Sequence, residues 1–346
     1  MKKSFFIALI ALQAFCINAQ NREGKEPFLT KSFPAASIKN VEVETTGGNI
    51  TVNGESKSEA RVEVYVHQNN YRGSDLSKDE IQKKLDEDYN LEVSANNSKL
   101  TATAKPKNRN INWKKALSIS FRVYTPVNVS TDLSTSGGNI ELNNVSGKQD
   151  FSTSGGNLQV SNVTESLKGR TSGGNIHVSN CKDEIDLRTS GGNIDANDCT
   201  GEITLETSGG SLRLNNLNGN IKANTSGGNV HGDDISGELL THTSGGNIDL
   251  KSLSASLETS TSGGNIDVSI KQLSKYVKIS NSGGNIAVSL PKNKGLDLDL
   301  SGRIGNTHFE NFAGKINEHE VNGKLNGGGV PITVDAGDGR ISLSFN

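Results

Sequence analysis

Ionisable side chains recur in this sequence at a constant interval, a spacing that could gather them on one surface. The column consists of the ionisable residues Glu141, His177, Asp195, Arg213, His231, Asp249 and Asp267, together with the neutral Gln159. Carboxylates beside imidazoles can act as general acids and bases or as metal ligands. If 18-residue units stack as β-strands about 4.8 Å apart, His177, Asp195 and Arg213 become neighbours that can form a ladder of ion pairs. His177 and His231 would then lie about 14 Å apart, which is too far for both to bind one metal ion. The column therefore predicts a solvated charged face; the alternative is a carboxylate-and-base cluster like that of β-helical polysaccharide lyases.

The short motifs that identify common enzyme classes are missing from the sequence. His319 and Glu320 are followed by Val321 and do not form the H-E-x-x-H motif of zinc proteases. The G-x-S-x-G motif of hydrolases and the P-loop motif do not occur either. We therefore predict that the protein is not an enzyme and has no catalytic residue, no metal site and no cofactor.

One stretch combines basic side chains with the single tryptophan of the chain. The segment KPKNRNINWKK, residues 105–115, contains Lys105, Lys107, Arg109, Trp113, Lys114 and Lys115. Cationic side chains around an aromatic ring can contact anionic lipid headgroups or an acidic glycan. This patch is the first candidate for a binding site; the alternative is a plain loop between two strands.

Two cysteines, Cys181 and Cys199, would occupy the same position in adjacent units of this kind. Cα atoms at strand spacing are within reach of a disulfide, and an export route is oxidising. A possible disulfide and a buried stack of two thiols are both left open by the sequence.

The elements that would position these side chains follow from a repeated turn sequence. TSGGNI or a close variant begins at residues 135, 153, 171, 189, 207, 225, 243 and 261, always at the same interval, and NSGGNI follows at 281. A fixed period near 20 residues is typical of a solenoid, in which each repeat stacks on the one before. We call each 18-residue unit a coil and number its positions from the Thr of TSGG.

Apolar residues occupy positions 6, 8, 11, 15 and 17 of most coils. In the coil 171–188 they are Ile176, Val178, Cys181, Ile185 and Leu187. Spacing by two is strand spacing, and no helical stripe appears. Hydrophobic residues make up 32% of the chain, which is low for one large globular core but sufficient for such narrow columns. The sequence predicts an all-β fold, a parallel β-helix or solenoid with 18-residue coils, right-handed by the general preference for right-handed crossovers.

The glycine pair and the asparagine of each turn are predicted to be structural. Glycine would permit a sharp turn with positive φ, and stacked Asn side chains can form a hydrogen-bond ladder. An exposed Thr/Ser/Asn face that binds ice or a sugar is the alternative. The first four coils supply the turn and ladder residues Gly137, Gly138, Asn139, Gly155, Gly156, Asn157, Gly173, Gly174, Asn175, Gly191, Gly192 and Asn193.

Residues 1–19 have the form of a secretory signal peptide. Lys2 and Lys3 precede an apolar run that ends at the small residue Ala19. Loss of the two lysines by cleavage would change the formal net charge from −2 to −4. Lipidation at Cys16 is the alternative. No later segment is apolar enough to form a membrane-spanning helix. The net charge is close to neutral and does not indicate nucleic-acid binding.

Residues 55–130 interrupt the repeat after a first TTGGNI turn at 45–50. Strand-like runs at 59–67, 90–95, 99–105 and 117–125 surround an amphipathic helix in 74–89, with Ser74 or Asp75 as its predicted cap and Ile81, Leu85 and Tyr89 on one face. Because solenoid ends expose strand edges, we predict that this insert is a small N-terminal α+β cap. The predicted organisation is a signal peptide (1–19), an N-terminal segment with the first coil (20–54), the inserted cap (55–130), the β-solenoid (131–290), and irregular final coils with a C-terminal cap (291–346).

Several segments resemble one bacterial protein family. They are VEVETTGGNITVNG (41–54), FRVYTPVNVSTDLSTSGGNI (121–140), the SGGNI coils and VDAGDGRISLSF (334–345). Together with the signal peptide, they look like the "putative adhesin" family of DUF4097 type, over roughly residues 37–346. The resemblance implies a β-solenoid in the cell envelope and a link to envelope stress, and it supplies no catalytic residue. The NAQ end of the signal peptide is similar to those of Bacteroidota.

The predicted function is that of an exported, non-enzymatic envelope solenoid with an adhesin-like binding or scaffold role. It would lie in the periplasm or at the cell surface, associated with the outer membrane. Its partner would be an envelope protein, a glycan or an anionic surface, and no nucleic acid. A β-helical carbohydrate-active enzyme and an ice-binding solenoid are the alternatives.

Overall fold

The computed structural model describes residues 26–69, 76–108, 116–292, 294–305 and 309–346. Strands make up most of these residues, which confirms the predicted all-β class. The predicted signal peptide lies outside the described residues. Within the described ranges, no helix is long and apolar enough to cross a membrane.

The N-terminal part contains seven strands and an α-helix. They are β1 (Leu29–Pro34), followed by the 3-10 turn Ala35–Ser37, β2 (Asn40–Thr45), β3 (Ile50–Gly54), β4 (Glu59–Gln68), α1 (Lys78–Asp88), β5 (Tyr89–Asn96), β6 (Lys99–Pro106) and β7 (Leu117–Thr125). The four strand-like runs predicted in the insert correspond to β4, β5, β6 and β7.

The helix α1 begins later than predicted. Its cap is Ser77 rather than Ser74 or Asp75, because Ser77 and Glu80 form a capping box in which each side chain accepts the backbone N–H of the other residue. The predicted cap was therefore wrong by about one turn. Leu85 is buried, and it anchors the helix on the core.

The repeats supply fourteen strands, which pair in parallel with the next repeat. Ile194 pairs with Leu212 and Leu212 with Val230, so partners lie 18 residues apart. The strands are β8 (Ser130–Thr135), β9 (Ile140–Asn143), β10 (Ser146–Thr153), β11 (Leu158–Ser161), β12 (Thr164–Arg170), β13 (Ile176–Ser179), β14 (Lys182–Arg188), β15 (Ile194–Glu206), β16 (Leu212–Asn224), β17 (Val230–Thr243), β18 (Ile248–Thr261), β19 (Ile266–Ile270), β20 (Val277–Asn281) and β21 (Ile286–Leu290).

The first coil is separated from the others by the insert in the sequence, yet it lies next to them in space. β2 pairs in parallel with β8, and β3 with β9. On their other sides, β2 pairs with β6 and β3 with β7, also in parallel. The insert therefore adds one more layer to the stack. Antiparallel pairs follow, with β5 on β6, β4 on β7 and β1 on β4.

The C-terminal residues return to the stack through four further strands. These are β22 (Leu296–Ile304), β23 (Phe312–Ile316), β24 (Glu320–Leu325) and β25 (Val330–Phe345). β25 pairs in parallel with β20 and β21 on one side and with β22 on the other. β22 and β23 both pair antiparallel with β24.

A single apolar core runs through the stacked strands. All five inward residues predicted for the coil 171–188 are buried. Side-chain sizes in neighbouring coils complement each other, since Phe151 fills the room left by Gly169. A methyl group added at Gly169 would lie 2.4 Å from Cε2 of Phe151.

Candidate functional site

The recurring residues of the turn join each coil to the one before it. The hydroxyl of Thr207 donates to the carbonyl oxygen of Gly192 at 2.8 Å and accepts the N–H of Gly210 at 3.2 Å. The N–H of Asn193 donates to Oδ1 of Asn175 at 2.8 Å. The same bonds recur along the stack. The residues that make TSGGNI recognisable therefore act within the stack.

The second glycine of each pair is needed for close approach between coils, so the predicted reason, positive φ, was wrong. A methyl group at Gly192 would lie 1.9 Å from the carbonyl oxygen of Gly174, whereas one at Gly191 would meet nothing closer than 3.6 Å. Neither glycine has a positive φ. The second glycines of the other three coils, Gly138, Gly156 and Gly174, show the same clash, and the first glycines Gly137, Gly155 and Gly173 do not.

Left-handed backbone occurs at another corner of the coil, which the sequence reasoning missed. Position 10 has φ between 50° and 57° in six successive coils, at Asn144, Asn162, Asn180, Asp198, Asn216 and Asp234. Asn and Asp tolerate this conformation better than other residues with a side chain. The recurring Asn or Asp at position 10 was the signal that could have revealed this corner.

The alternative interpretation, an exposed face of Thr, Ser and Asn, requires threonines that face solvent, and the coil threonines do not. Thr207 is only 6% exposed, and the other coil threonines are buried as well. Their hydroxyl groups already have a donor and an acceptor partner in the stack. An ice-binding face built on these threonines is therefore not formed.

Cys181 and Cys199 are free thiols in the structure, and both are buried. The thiols of Cys181 and Cys199 donate to the backbone carbonyl oxygens of Ser179 at 3.3 Å and Asn197 at 3.2 Å. The adjacent thiol of Cys199, together with burial, raises the pKa of Cys181. Of the two states left open by the sequence, this structure has the stack of two thiols.

The outward column of ionisable residues forms exposed pairs between neighbouring strands. Nη1 of Arg213 lies 3.7 Å from Oδ1 of Asp195, and Nδ1 of His231 lies 3.9 Å from Oδ2 of Asp249. Such exposed pairs contribute at most about 1 kcal/mol each. Among the residues that the structure describes, no group of three or more His, Cys, Asp or Glu side chains is placed to hold a metal ion.

Only two members of the predicted basic patch fall among the described residues. The ammonium group of Lys105 lies 2.6 Å from a carboxylate oxygen of Glu44, and that of Lys107 donates to the backbone carbonyl of Asp86. The hydrogen bond to Glu44 raises the pKa of Lys105. Arg109, Trp113, Lys114 and Lys115 lie outside the described residues. The two described lysines thus tie β6 to β2 and to α1.

Lys105 and Lys107 also border a cleft of about 710 Å³ beside α1. Its lining combines apolar side chains, such as Phe28 and Leu91, with charged ones, and Nζ of Lys78 lies 5.7 Å from the centre of the Phe28 ring. Three lysines are balanced by three carboxylates, Glu42, Asp86 and Glu92. Among the described residues that line it, the cleft therefore has no excess of positive charge of the kind that an anionic surface would require.

Comparisons with known proteins agree with this architecture. The model of the family described as Toastrack DUF4097 matches residues 179–344. No match was found among curated proteins.

Similar solved structures include a "putative adhesin" from Bacteroides fragilis NCTC 9343, with 17% identity and a TM-score of 0.36, covering 69% of this chain and 96% of that one. A "putative adhesin" from Parabacteroides distasonis ATCC 8503 has 12% identity and a TM-score of 0.28, with 91% and 96% covered. A "putative cell adhesion protein" from Clostridium sporogenes ATCC 15579 has 10% identity and a TM-score of 0.19, with 93% and 100% covered. At these TM-scores the likenesses carry no functional argument, although the names refer to adhesion rather than to an enzyme. The family predicted from the turn motifs is confirmed by the match of residues 179–344 to the model of the Toastrack DUF4097 family.

Proposed function

We propose that this chain is an exported, non-enzymatic β-solenoid of the cell envelope, with an adhesin-like binding or scaffold role. The observation that carries the proposal is that different positions of each coil have different roles. The constant Thr, second Gly and Asn bond one coil to the next, whereas the outward side chains differ from coil to coil, as Glu141, His177 and Arg213 do. A regular stack that displays variable side chains suits an extended recognition surface.

The finer architecture of the proposal is a parallel β-helix of 18-residue coils with a cap at each end. Parallel partners at equivalent positions of successive repeats support the coil, and antiparallel strands at both ends support the caps. Nζ of Lys31 on β1 donates to the carbonyl oxygen of Val93 on β5 at 2.9 Å. A lysine at a strand edge hinders pairing with another chain, as expected of a cap.

Protease shaving of intact cells tests the location. An antibody against residues 135–290 would follow the protein beside a periplasmic control protein. Cleavage while the control survives would place the protein at the cell surface. Protection of both would rule out surface adhesion and direct the search to periplasmic partners.

Binding itself is tested by adding labelled protein, residues 20–346, to isolated cell envelopes. We expect saturable binding that an excess of unlabelled protein displaces. Binding that rises linearly and resists displacement would contradict a specific recognition role, as would no binding at all.

A further inference from the structure

We infer that the outward face of β3, β7, β9 and β11 is a binding groove for an uncharged oligosaccharide. This inference rests on the proposed recognition role and names its site and its ligand class. The groove lies on the polar face of the sheet and shares no lining residue with the cleft beside α1.

The groove exists because short side chains stand between long ones. In the parallel register, Thr51 lies between Arg122 of β7 and Glu141 of β9. Its short side chain leaves a hollow of about 360 Å³, which Tyr124 and Gln159 also line. Four adjacent strands extend about 14 Å along the stack. The hollow is therefore elongated, as a chain-like ligand requires.

Two lining residues of the groove, Asn53 and Glu141, are held in place by hydrogen bonds to Asn143, which pairs with Asn53 on the neighbouring strand. Nδ2 of Asn143 donates to Oδ1 of Asn53 at 3.1 Å and to Oε1 of Glu141 at 3.0 Å. The hydroxyl of Ser161 donates to Oδ1 of Asn143 at 2.5 Å. Side chains that are already oriented lose less conformational entropy when a ligand binds.

The N-terminal end of the groove is formed by Arg122 and Tyr124, which are also fixed by neighbours. Cζ of Arg61 lies 4.3 Å from the centre of the Tyr124 ring. Nη1 of Arg122 donates to the hydroxyl of Tyr65 at 3.3 Å. A tyrosine hydroxyl can both donate a hydrogen bond to a sugar hydroxyl and accept one from it.

The chemistry of the lining selects the ligand class. Amide and hydroxyl side chains both donate and accept hydrogen bonds, as sugar hydroxyls do. The single guanidinium of Arg122 is balanced by the single carboxylate of Glu141 among the lining residues. This balance disfavours a polyanion, and the lining offers no deep apolar pocket for a hydrophobic peptide side chain. An uncharged oligosaccharide fits best.

Isothermal titration calorimetry of residues 20–346 tests the groove, with tetra-N-acetylchitotetraose, mannotetraose and xylotetraose as uncharged probes and tetragalacturonate as the charged probe. The variant Thr51→Tyr fills the hollow. Ala287→Tyr is the matched control, because Ala287 occupies the same outward column at the other end of the stack, opposite Asp267. We expect at least one uncharged tetrasaccharide to bind, a loss of at least about tenfold in affinity for Thr51→Tyr, and unchanged affinity for Ala287→Tyr.

Exposed Gln159 provides a second variant that does not depend on how Thr51→Tyr folds. Gln159→Ala removes one lining amide and should also weaken binding. The inference would be overturned by no heat of binding with any uncharged probe at millimolar concentration, by binding of tetragalacturonate alone, or by equal losses in Thr51→Tyr and Ala287→Tyr. Envelope binding that persists without oligosaccharide binding would remove the groove and leave the proposed function standing. Loss of both would remove the proposed function as well.

Discussion

The second glycine of the turn should be far less replaceable than the first, although the two are adjacent in the sequence. In Gly192→Ala, the new methyl group would lie 1.9 Å from the carbonyl oxygen of Gly174, a distance that real side chains do not show. In Gly191→Ala, the nearest atom would lie 3.6 Å away, at ordinary contact distance. The pair thus compares the same chemical change in two neighbouring environments.

The size of the effect follows from the bonds that hold the two coils together at this turn. Relief of the clash requires the coils to separate, which weakens four hydrogen bonds. These are Ser190 N–H to Ser172 O (3.2 Å), Gly191 N–H to Ser172 O (2.9 Å), the Thr189 hydroxyl to Gly174 O (2.9 Å) and Asn193 N–H to Asn175 Oδ1 (2.8 Å). At about 1 kcal/mol each, their loss would cost about 4 kcal/mol. Reduced entropy of the unfolded chain offsets about 0.4–1 kcal/mol of this cost.

Urea unfolding of residues 20–346, followed by far-UV circular dichroism, measures the difference. We expect Gly192→Ala to lower the free energy of unfolding by about 3 kcal/mol. Gly191→Ala should raise it by up to about 1 kcal/mol, because only the entropy of the unfolded chain changes. Equal effects in the two variants, or a loss below about 1 kcal/mol for Gly192→Ala, would refute the reasoning from close approach.

Three further outcomes are expected. Gly169→Ala should destabilise the protein by about 1–3 kcal/mol, because the new methyl group overpacks against Phe151. Adding Phe151→Leu to this variant should recover part of the lost stability. Strictly additive effects in a double-mutant cycle would contradict the complementary packing of the two positions. Thr207→Val should lower the free energy of unfolding by about 1–3 kcal/mol, because it removes the hydroxyl that donates to Gly192. Thr207→Asn should retain most of the wild-type stability, because Asn281 makes the equivalent hydrogen bond in its own coil at 2.7 Å. Equal urea midpoints for the two variants would contradict the role of the hydroxyl. Burial and a hydrogen bond to Glu238 raise the pKa of Tyr276 from 10.0 to about 12, so its contribution to stability should be complete below pH 10 and lost as the pH rises towards 12. Phenolate absorbance measured against Tyr276→Phe checks this shift, and a titration midpoint near 10 would contradict it.

The repeat and the core could be predicted from the sequence because both depend on residues within one coil. A constant period with apolar residues at fixed positions leaves few folds other than stacked strands. Ile176 and Leu187 are buried where the period placed them. The strands of the insert were also predictable, since each is a local run of alternating residues. The cap of α1 was missed because two possible caps lay one turn earlier than Ser77.

The sequence could not show why each glycine of the turn is required. Gly191 and Gly192 read alike, and only the stack shows that one meets the carbonyl oxygen of Gly174. Likewise, the Thr hydroxyl could have faced water or the neighbouring coil. Its burial depends on the distance between coils, which is a property of the assembled sheet.

The sequence by itself determined the all-β class, the period, the inward columns and the family, because these follow from patterns repeated along the chain. The tertiary structure alone decided that β7 lies against β3, and hence that Arg122 stands beside Thr51. No local pattern connects these two residues, since the insert between them must fold back before they can meet. The groove at this junction is a product of that long-range pairing, whereas the coils that support it could be predicted from the repeated TSGGNI motif.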